Sequence, residues 1–330
     1  AVIINVAVNI VLITVFKQGI EAIFYSYLVS YSFLFLISLA YTLKYFGFSF
    51  DVPFFKKLLS SAHLFLYFGL FLISMDLIDR FILEYYKGTA IVGIYSACYR
   101  IGIVMNLAIT GFKVAWTPFF MNLKSDESNK EIFSKIFTYF CYGGLTAFLA
   151  FSLLADDLVK VNIGGYTLLN DKYWSGLVIV PYILLAYLFN GLYLNLNVAS
   201  FFSNKIKYLI VSSAAGCVSN IAFNFLLIPE YSMTGAAIST LLSYMVMFFM
   251  LYYFSQKTYR IAYEWKPILR ASLLTFFLYA INIYIPQLLN LSYIYVLIIE
   301  FLSIFLLFYV LLGPKAIELA KSFRVKKQLK

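Results

Sequence analysis

Residues 206–254 read IKYLIVSSAAGCVSNIAFNFLLIPEYSMTGAAISTLLSYMVMFFMLYYF, with Lys207 and Glu230 as the only charged side chains. Two apolar runs, about 206–228 and 232–254, flank the break Pro229-Glu230-Tyr231-Ser232. A bilayer core takes about 20 apolar residues in a helix, so each run is long enough to cross it. Pro229 lacks the N–H that would continue the backbone ladder, and the spacing predicts a helix stop there. The stretch therefore reads as two membrane helices joined by a short turn.

The rest of the chain agrees. Of 330 residues, 63% are hydrophobic and 12% charged, and mean hydropathy is +0.88. A soluble domain carries about 25% charged residues, and a disordered chain needs low hydrophobicity. A membrane barrel would show alternating segments of about ten residues, whereas these runs are about twice that. The expectation is an all-α membrane protein with about ten transmembrane helices. The other runs cover about 1–16, 19–42, 55–84, 89–119, 132–154, 174–199, 267–286 and 292–313. Pro267 suits a first helical turn. Pro286 with Asn290 marks a tight hairpin, and Gly313-Pro314 is a stop pattern.

Lys and Arg in the connecting segments set the orientation. Eighteen of the 25 fall on one side: Lys44, Lys56 and Lys57; Lys124, Lys130 and Lys135; Lys205 and Lys207; Lys257, Arg260, Lys266 and Arg270; and Lys315, Lys321, Arg324, Lys326, Lys327 and Lys330. The opposite side holds Lys17, Arg80, Lys87, Lys160 and Lys172, while Arg100 and Lys113 lie within a helix. The first side is read as cytoplasmic. The basic tail reads as a topology signal and a contact for lipid headgroups, with no basic soluble domain to bind nucleic acid. Cys98, Cys141 and Cys217 stand far apart in apolar runs, which predicts small buried hydrophobes and no metal site or disulfide framework. No cofactor motif is present. An apolar run starts at Ala1 with no charged segment before it, so the chain reads as beginning inside a larger protein and not with a signal peptide.

There is an internal echo. Asn5-x3-Asn9 precedes Gly19 and Ala22, and Asn220-x3-Asn224 precedes Gly235, Ala236 and Ala237. Both cases join a helix end, an outer turn and a glycine opening the next helix. Two readings stand: chance recurrence near helix ends, or duplication of a bundle, as in transporters with a site between repeats.

Asp79-Arg80-Phe81-Ile82-Leu83, Val92-Gly93-Ile94-Tyr95-Ser96-Ala97-Cys98-Tyr99-Arg100 and Ala115-Trp116-Thr117-Pro118-Phe119 form one set of motifs. Asn220 to Tyr231 and Gly235-Ala236-Ala237-Ile238-Ser239-Thr240 form another. In order and spacing they resemble the polysaccharide or O-antigen (Wzx-like) flippases of the multidrug/oligosaccharidyl-lipid/polysaccharide exporter superfamily. The resemblance runs from about residue 1 to about 320. Ser232 stands where that family usually has glycine. The resemblance implies a two-lobe bundle of 12–14 helices, of which this chain supplies helices five to fourteen, so that the first lobe is incomplete. Residues 1–45 would end the N-terminal lobe, 46–256 form a six-helix lobe, 257–314 add two helices, and 315–330 form a basic cytoplasmic tail.

The implied activity is movement of an undecaprenyl-pyrophosphate-linked oligosaccharide across the bacterial cytoplasmic (inner) membrane by alternating access, for O-antigen, capsule or exopolysaccharide synthesis. The implied partners are that lipid, the bilayer and polysaccharide-assembly proteins. A pyrophosphate calls for cations facing a hydrated cavity, and ionisable groups inside a membrane are costly and functional by default. Arg100 lies eleven residues into its span, ~16 Å at helical rise and close to mid-bilayer. It reads as an anion-binding group or as half of a buried ion pair. Lys113, near the inner interface, either meets the same anion or snorkels to headgroups.

Asp76, Arg80 and Glu84 are spaced four apart on one helix stripe, where neighbouring charges pair. The alternatives are a static salt bridge and a gate in which Arg80 exchanges a carboxylate for phosphate. Asp79, off that stripe, is expected to bond backbone at a helix end. Glu300, with no local partner, faces a proton or sodium path, binds a cation elsewhere, or is simply kept protonated by burial. His63, the only histidine, reads as a satisfied interior side chain or as a proton-coupling group. Asn190, Asn195 and Asn197 bond across helices or to sugar hydroxyls.

An ion-coupled multidrug-type exporter is the alternative function. It calls for acidic mid-membrane groups, where this chain places Arg100. An enzyme is not expected, because no nucleophile–base constellation or acidic metal motif is found.

Overall fold

The computed structural model describes residues 2–47, 50–123, 127–164 and 166–328. Lys124 and Lys330, counted above among the basic-side residues, lie outside the described residues. The order is α1 (Val2–Thr14), α2 (Glu21–Leu43), α3 (Val52–Lys87), α4 (Thr89–Met121), α5 (Glu127–Lys160), β1 (Asn162–Ile163), β2 (Tyr166–Thr167), a 3-10 segment Asp171–Ile179, α6 (Val180–Phe202), α7 (Lys207–Thr258), α8 (Trp265–Leu289) and α9 (Tyr293–Gln328). β1 and β2 pair antiparallel as a minimal hairpin. The protein is an all-α membrane protein, and seven of its described helices are long and apolar enough to cross a bilayer.

α7 decides the count. At 52 residues a straight rod would be about 78 Å long, far beyond the ~30 Å hydrocarbon core. It is broken at Ser232 (φ 52°, ψ −130°). The halves, 207–231 and 233–258, fold back on each other: a side chain built on Gly216 would meet Met247 Cβ at 3.1 Å. With α7 taken as two rods, ten helical rods are present among the described residues. Pro229 does not end its helix as the sequence suggested. It is accommodated inside the last turn, and the chain reverses three residues later. Pro314 likewise sits within α9, which continues to Gln328. One missing N–H is tolerated because the segment beyond it (KAIELAKSFRVKK) is rich in good helix formers. At the α8–α9 turn, Asn290 takes the left-handed conformation (φ 47°, ψ 47°) that ends helices.

The structure divides into two compact units, residues 1–60 and 61–330. In the first, α1 packs on α2, where Ala22, Ser26 and Ser30 are buried. In the second, α6 is the central rod, packed by α4, α5 and α7. Close approach is bought by small residues, as is usual between membrane helices. A Cβ on Gly102 would lie 2.5 Å from Ile183, and one on Gly191 would lie 2.4 Å from Phe140. α8 and α9 pack on α5. The outward faces remain apolar, with Leu107, Phe277 and Phe301 exposed. Water would penalise such a surface, and lipid does not.

Candidate functional site

α3 brings Asp76, Asp79 and Arg80 to a face met by α4, α6 and the second half of α7. Asp79 is fully buried. Its carboxylate accepts from the Tyr95 hydroxyl at 2.5 Å, the Arg80 backbone N–H at 2.8 Å and the Arg80 guanidinium at 3.2 Å. Three donors, one of them cationic, offset the desolvation of the charge. Asp76, half-buried, accepts from Tyr244 at 3.1 Å and Tyr99 at 3.4 Å, and Tyr187 donates to the Tyr99 oxygen at 3.3 Å. The Arg80 guanidinium also donates to the Asp76 carbonyl and lies 4.7 Å from the Tyr99 ring centre and 5.7 Å from that of Tyr95. That is cation–π distance. A quarter of the Arg80 side chain stays exposed, so this cation is anchored from behind and open in front.

Helical spacing builds the network. Tyr95 and Tyr99 are four apart on the face of α4 that also buries Cys98, Gly102 and Met105. The pairing differs from the stripe expected in the sequence. Arg80 bonds the carboxylate of its neighbour Asp79 instead of those of Asp76 and Glu84. Glu84 instead accepts from Thr89 across the α3–α4 turn at 3.1 Å. Asp79 is not at a helix end, and its second partner is a tyrosine on another helix. Tyr95, Tyr99, Tyr187 and Tyr244 were not singled out as site residues in the sequence. Tyr95 and Tyr99 carry two signals, their four-residue spacing and their place in the motif Val92 to Arg100, and Tyr187 and Tyr244 carry none.

The remaining candidates lie elsewhere. Arg100 follows buried Tyr99 but is exposed on α4, with no carboxylate bonded to it among the described residues. Lys113 is exposed near the end of α4 and lines a pocket with Trp116 and Asn197. Glu300 is buried in α9 with one carboxylate oxygen lacking a hydrogen-bond partner. One helix away, Asn282 donates to Ser303 at 2.9 Å and leaves its own oxygen unpaired. His63 is exposed and edge-on to Tyr67, not interior, because it lies on an outward face of α3. Asn195 bonds its own helix at Gly191 O, 3.0 Å away, instead of a neighbouring helix. The three cysteines are buried free thiols. No cluster of three or more His, Cys, Asp or Glu side chains that could hold a metal occurs among the described residues.

The profile of the family described as "Polysaccharide biosynthesis protein" matches residues 1–166. The chain belongs to that family. The matched stretch includes the whole α3–α4 part of the network, with Arg100 and Lys113. A capsular polysaccharide biosynthesis protein, CapF of Staphylococcus aureus, is 26% identical over 192 residues, which are 55% of this chain and 45% of that protein. A solved structure, the lipid II flippase MurJ in an inward closed conformation, superposes with a TM-score of 0.70 at 15% identity. That match covers 93% of this chain and 65% of MurJ. The chain thus spans less than two thirds of either protein, and the second likeness establishes a common fold.

Proposed function

We propose that the protein moves a lipid-linked oligosaccharide across the bacterial cytoplasmic membrane for O-antigen, capsule or exopolysaccharide assembly. The observation that carries this reading is the polysaccharide-family match on a chain that shares the fold of a lipid II flippase along 93% of its length. The cargo is a sugar chain on undecaprenyl pyrophosphate. Two lobes rock about a polar cavity while the lipid tail remains in the bilayer. The lobe boundaries at residues 45, 256 and 314 belong to the same proposal, as do any contacts with polysaccharide-assembly proteins. The protein acts as a transporter and makes or breaks no covalent bond.

Arg80, Arg100 and Lys113 supply the cations for the anionic head. Arg80 is the one whose surroundings suit a gate. An arriving pyrophosphate offers its guanidinium a better bidentate partner than Asp79. Asp79 then keeps the Tyr95 hydroxyl and the Arg80 backbone N–H, so its charge is not abandoned in the interior. Asp76 and Asp79 set the gate, and Glu300 is assigned to coupling.

The test expresses the gene's full reading frame in a strain lacking its own polysaccharide flippase. Surface polysaccharide is expected to return. Arg80→Lys, which keeps the charge and loses the fork, is expected to lower it about tenfold at equal membrane abundance. Absence of surface polysaccharide despite a folded, inserted protein would overturn the reading.

A further inference from the structure

Residues 259–264 carry the chain from α7 to α8 as a strap, and their burial alternates as in an extended chain. Tyr259, Ile261 and Tyr263 are buried, while Arg260 and Ala262 are exposed. The strap is tied down at three points. Ser134 donates to the Ala262 carbonyl at 2.7 Å, Gln256 to the Ile261 carbonyl at 3.0 Å, and Thr138 to the Glu264 carboxylate at 2.8 Å. Between the strap and the first turns of α5 opens a pocket of about 550 Å³, lined by Lys130, Glu131, Ser134, Lys135, Arg260 and Glu264.

The charged groups of this pocket are within reach of a ligand. Arg260 is exposed, and no carboxylate is bonded to its guanidinium among the described residues. The Lys130 ammonium is held over the strap, 4.8 Å from the Tyr259 ring centre. Glu131 and Lys135, four apart on α5, pair at 2.6 Å. Three cations thus face two carboxylates, with one positive charge in excess. That balance suits a phosphodiester, which carries a single negative charge, and not the more highly charged pyrophosphate. Glu264 remains able to accept from a hydroxyl beside the phosphate. Next along α8 the wall turns apolar. Trp265 begins a second groove, of about 280 Å³, that reaches past Leu269 to Phe276, ~16 Å at helical rise. Leu269 and Phe276 are exposed, so hydrocarbon can enter it. The Lys and Arg distribution assigns this end of the bundle to the cytoplasm, where anionic phospholipid collects.

We infer that the strap and α5 bind one anionic glycerophospholipid of the cytoplasmic leaflet. Arg260 and Lys130 take its phosphodiester oxygens, Glu264 accepts from a headgroup hydroxyl, and one acyl chain lies along the Trp265–Phe276 face of α8. This lipid is a resident of the membrane and not the transported cargo. By touching α5, the strap and α8 together, it fastens α8 to the bundle at an end where the strap is the covalent link. The inference stands apart from the transport reading.

The purified full chain in detergent is titrated with phosphatidylglycerol, phosphatidylcholine or the soluble headgroup glycerophosphoglycerol, and bound molecules are counted by native mass spectrometry. Phosphatidylglycerol is expected to bind about tenfold more tightly than phosphatidylcholine. Its affinity should fall about fivefold in Arg260→Gln and further when Lys130→Gln is added. Glu131→Gln, which releases Lys135 from its pair, should raise it about threefold. Leu269→Asn, which puts an amide in the apolar groove, should lower it about threefold. Lys172→Ala, at the other end of the bundle, should match the parent protein. Equal binding of the two lipids, or unchanged affinity in the Arg260→Gln, Lys130→Gln double variant, would overturn the site. Binding of glycerophosphoglycerol as tight as that of the lipid would overturn its assignment to a membrane lipid. Transport is not measured in any arm, so these outcomes and those of the flippase test are independent.

Discussion

In the α1–α2 hairpin, Asn5 donates its amide to Ser26 on the facing helix at 3.2 Å. In the α7 hairpin, Asn224 donates to Asn220 on its own helix at 3.0 Å, both are fully buried, and one amide atom of each stays unpaired. The two turns are nonetheless alike. Each reverses through a non-glycine residue with φ 52°, Lys17 in one and Ser232 in the other, twelve positions after the first asparagine. Each then reaches a glycine, but the two glycines do different things. A side chain on Gly19 would meet nothing within 4 Å, whereas a Cβ on Gly235 would sit 2.3 Å from the Leu227 carbonyl oxygen. The shared spacing therefore records a shared turn, and the packing of each hairpin decides which residues it can spare.

That contrast can be broken at graded cost. Gly235→Ala should lower stability the most, by about 3 kcal/mol, because the clash is with backbone that cannot rotate away. Gly19→Ala should change it by less than about 0.5 kcal/mol. Thermal unfolding in detergent, followed by size-exclusion of the surviving protein, compares the two, and equal losses would erase the distinction. Asn220→Ala comes next, at about 2 kcal/mol, since it removes the acceptor of the buried Asn224 N–H. Asn5→Ala, in a half-buried pair, should cost about 1 kcal/mol. One substitution has the opposite sign. Ser232→Gly should stabilise by about 1 kcal/mol by relieving a backbone conformation that favours glycine. A loss there would mean that the serine side chain holds the turn.

The asymmetry also explains what could be read before the structure. The ten rods follow from run length and charge alone, because bilayer thickness imposes one period on every apolar stretch. The break near Pro229 was legible, though not its place. A proline late in a helix loses only one bond, and the reversal is made by Ser232. Asp76, Asp79 and Arg80 stood out because charge inside a membrane is rare. Their bonding pattern did not, since it depends on which face of α4 turns toward α3, and tyrosine is too common here for Tyr95 or Tyr244 to be conspicuous. The Trp116–Lys113 pocket was half visible. Lys113 could be named from its position, whereas the pocket it lines with Trp116 and Asn197 appears only when α4, α6 and α7 are packed together.

Carriage of a phosphate-linked sugar lipid through this bundle is measured by translocation in reconstituted vesicles. Purified full chain in vesicles is given a fluorescent polyprenyl-pyrophosphate oligosaccharide on one face, and its arrival on the other is followed. Transfer is expected well above that of protein-free vesicles, reduced about tenfold by Arg80→Lys. Transfer no faster than in empty vesicles, from correctly inserted protein, would contradict it.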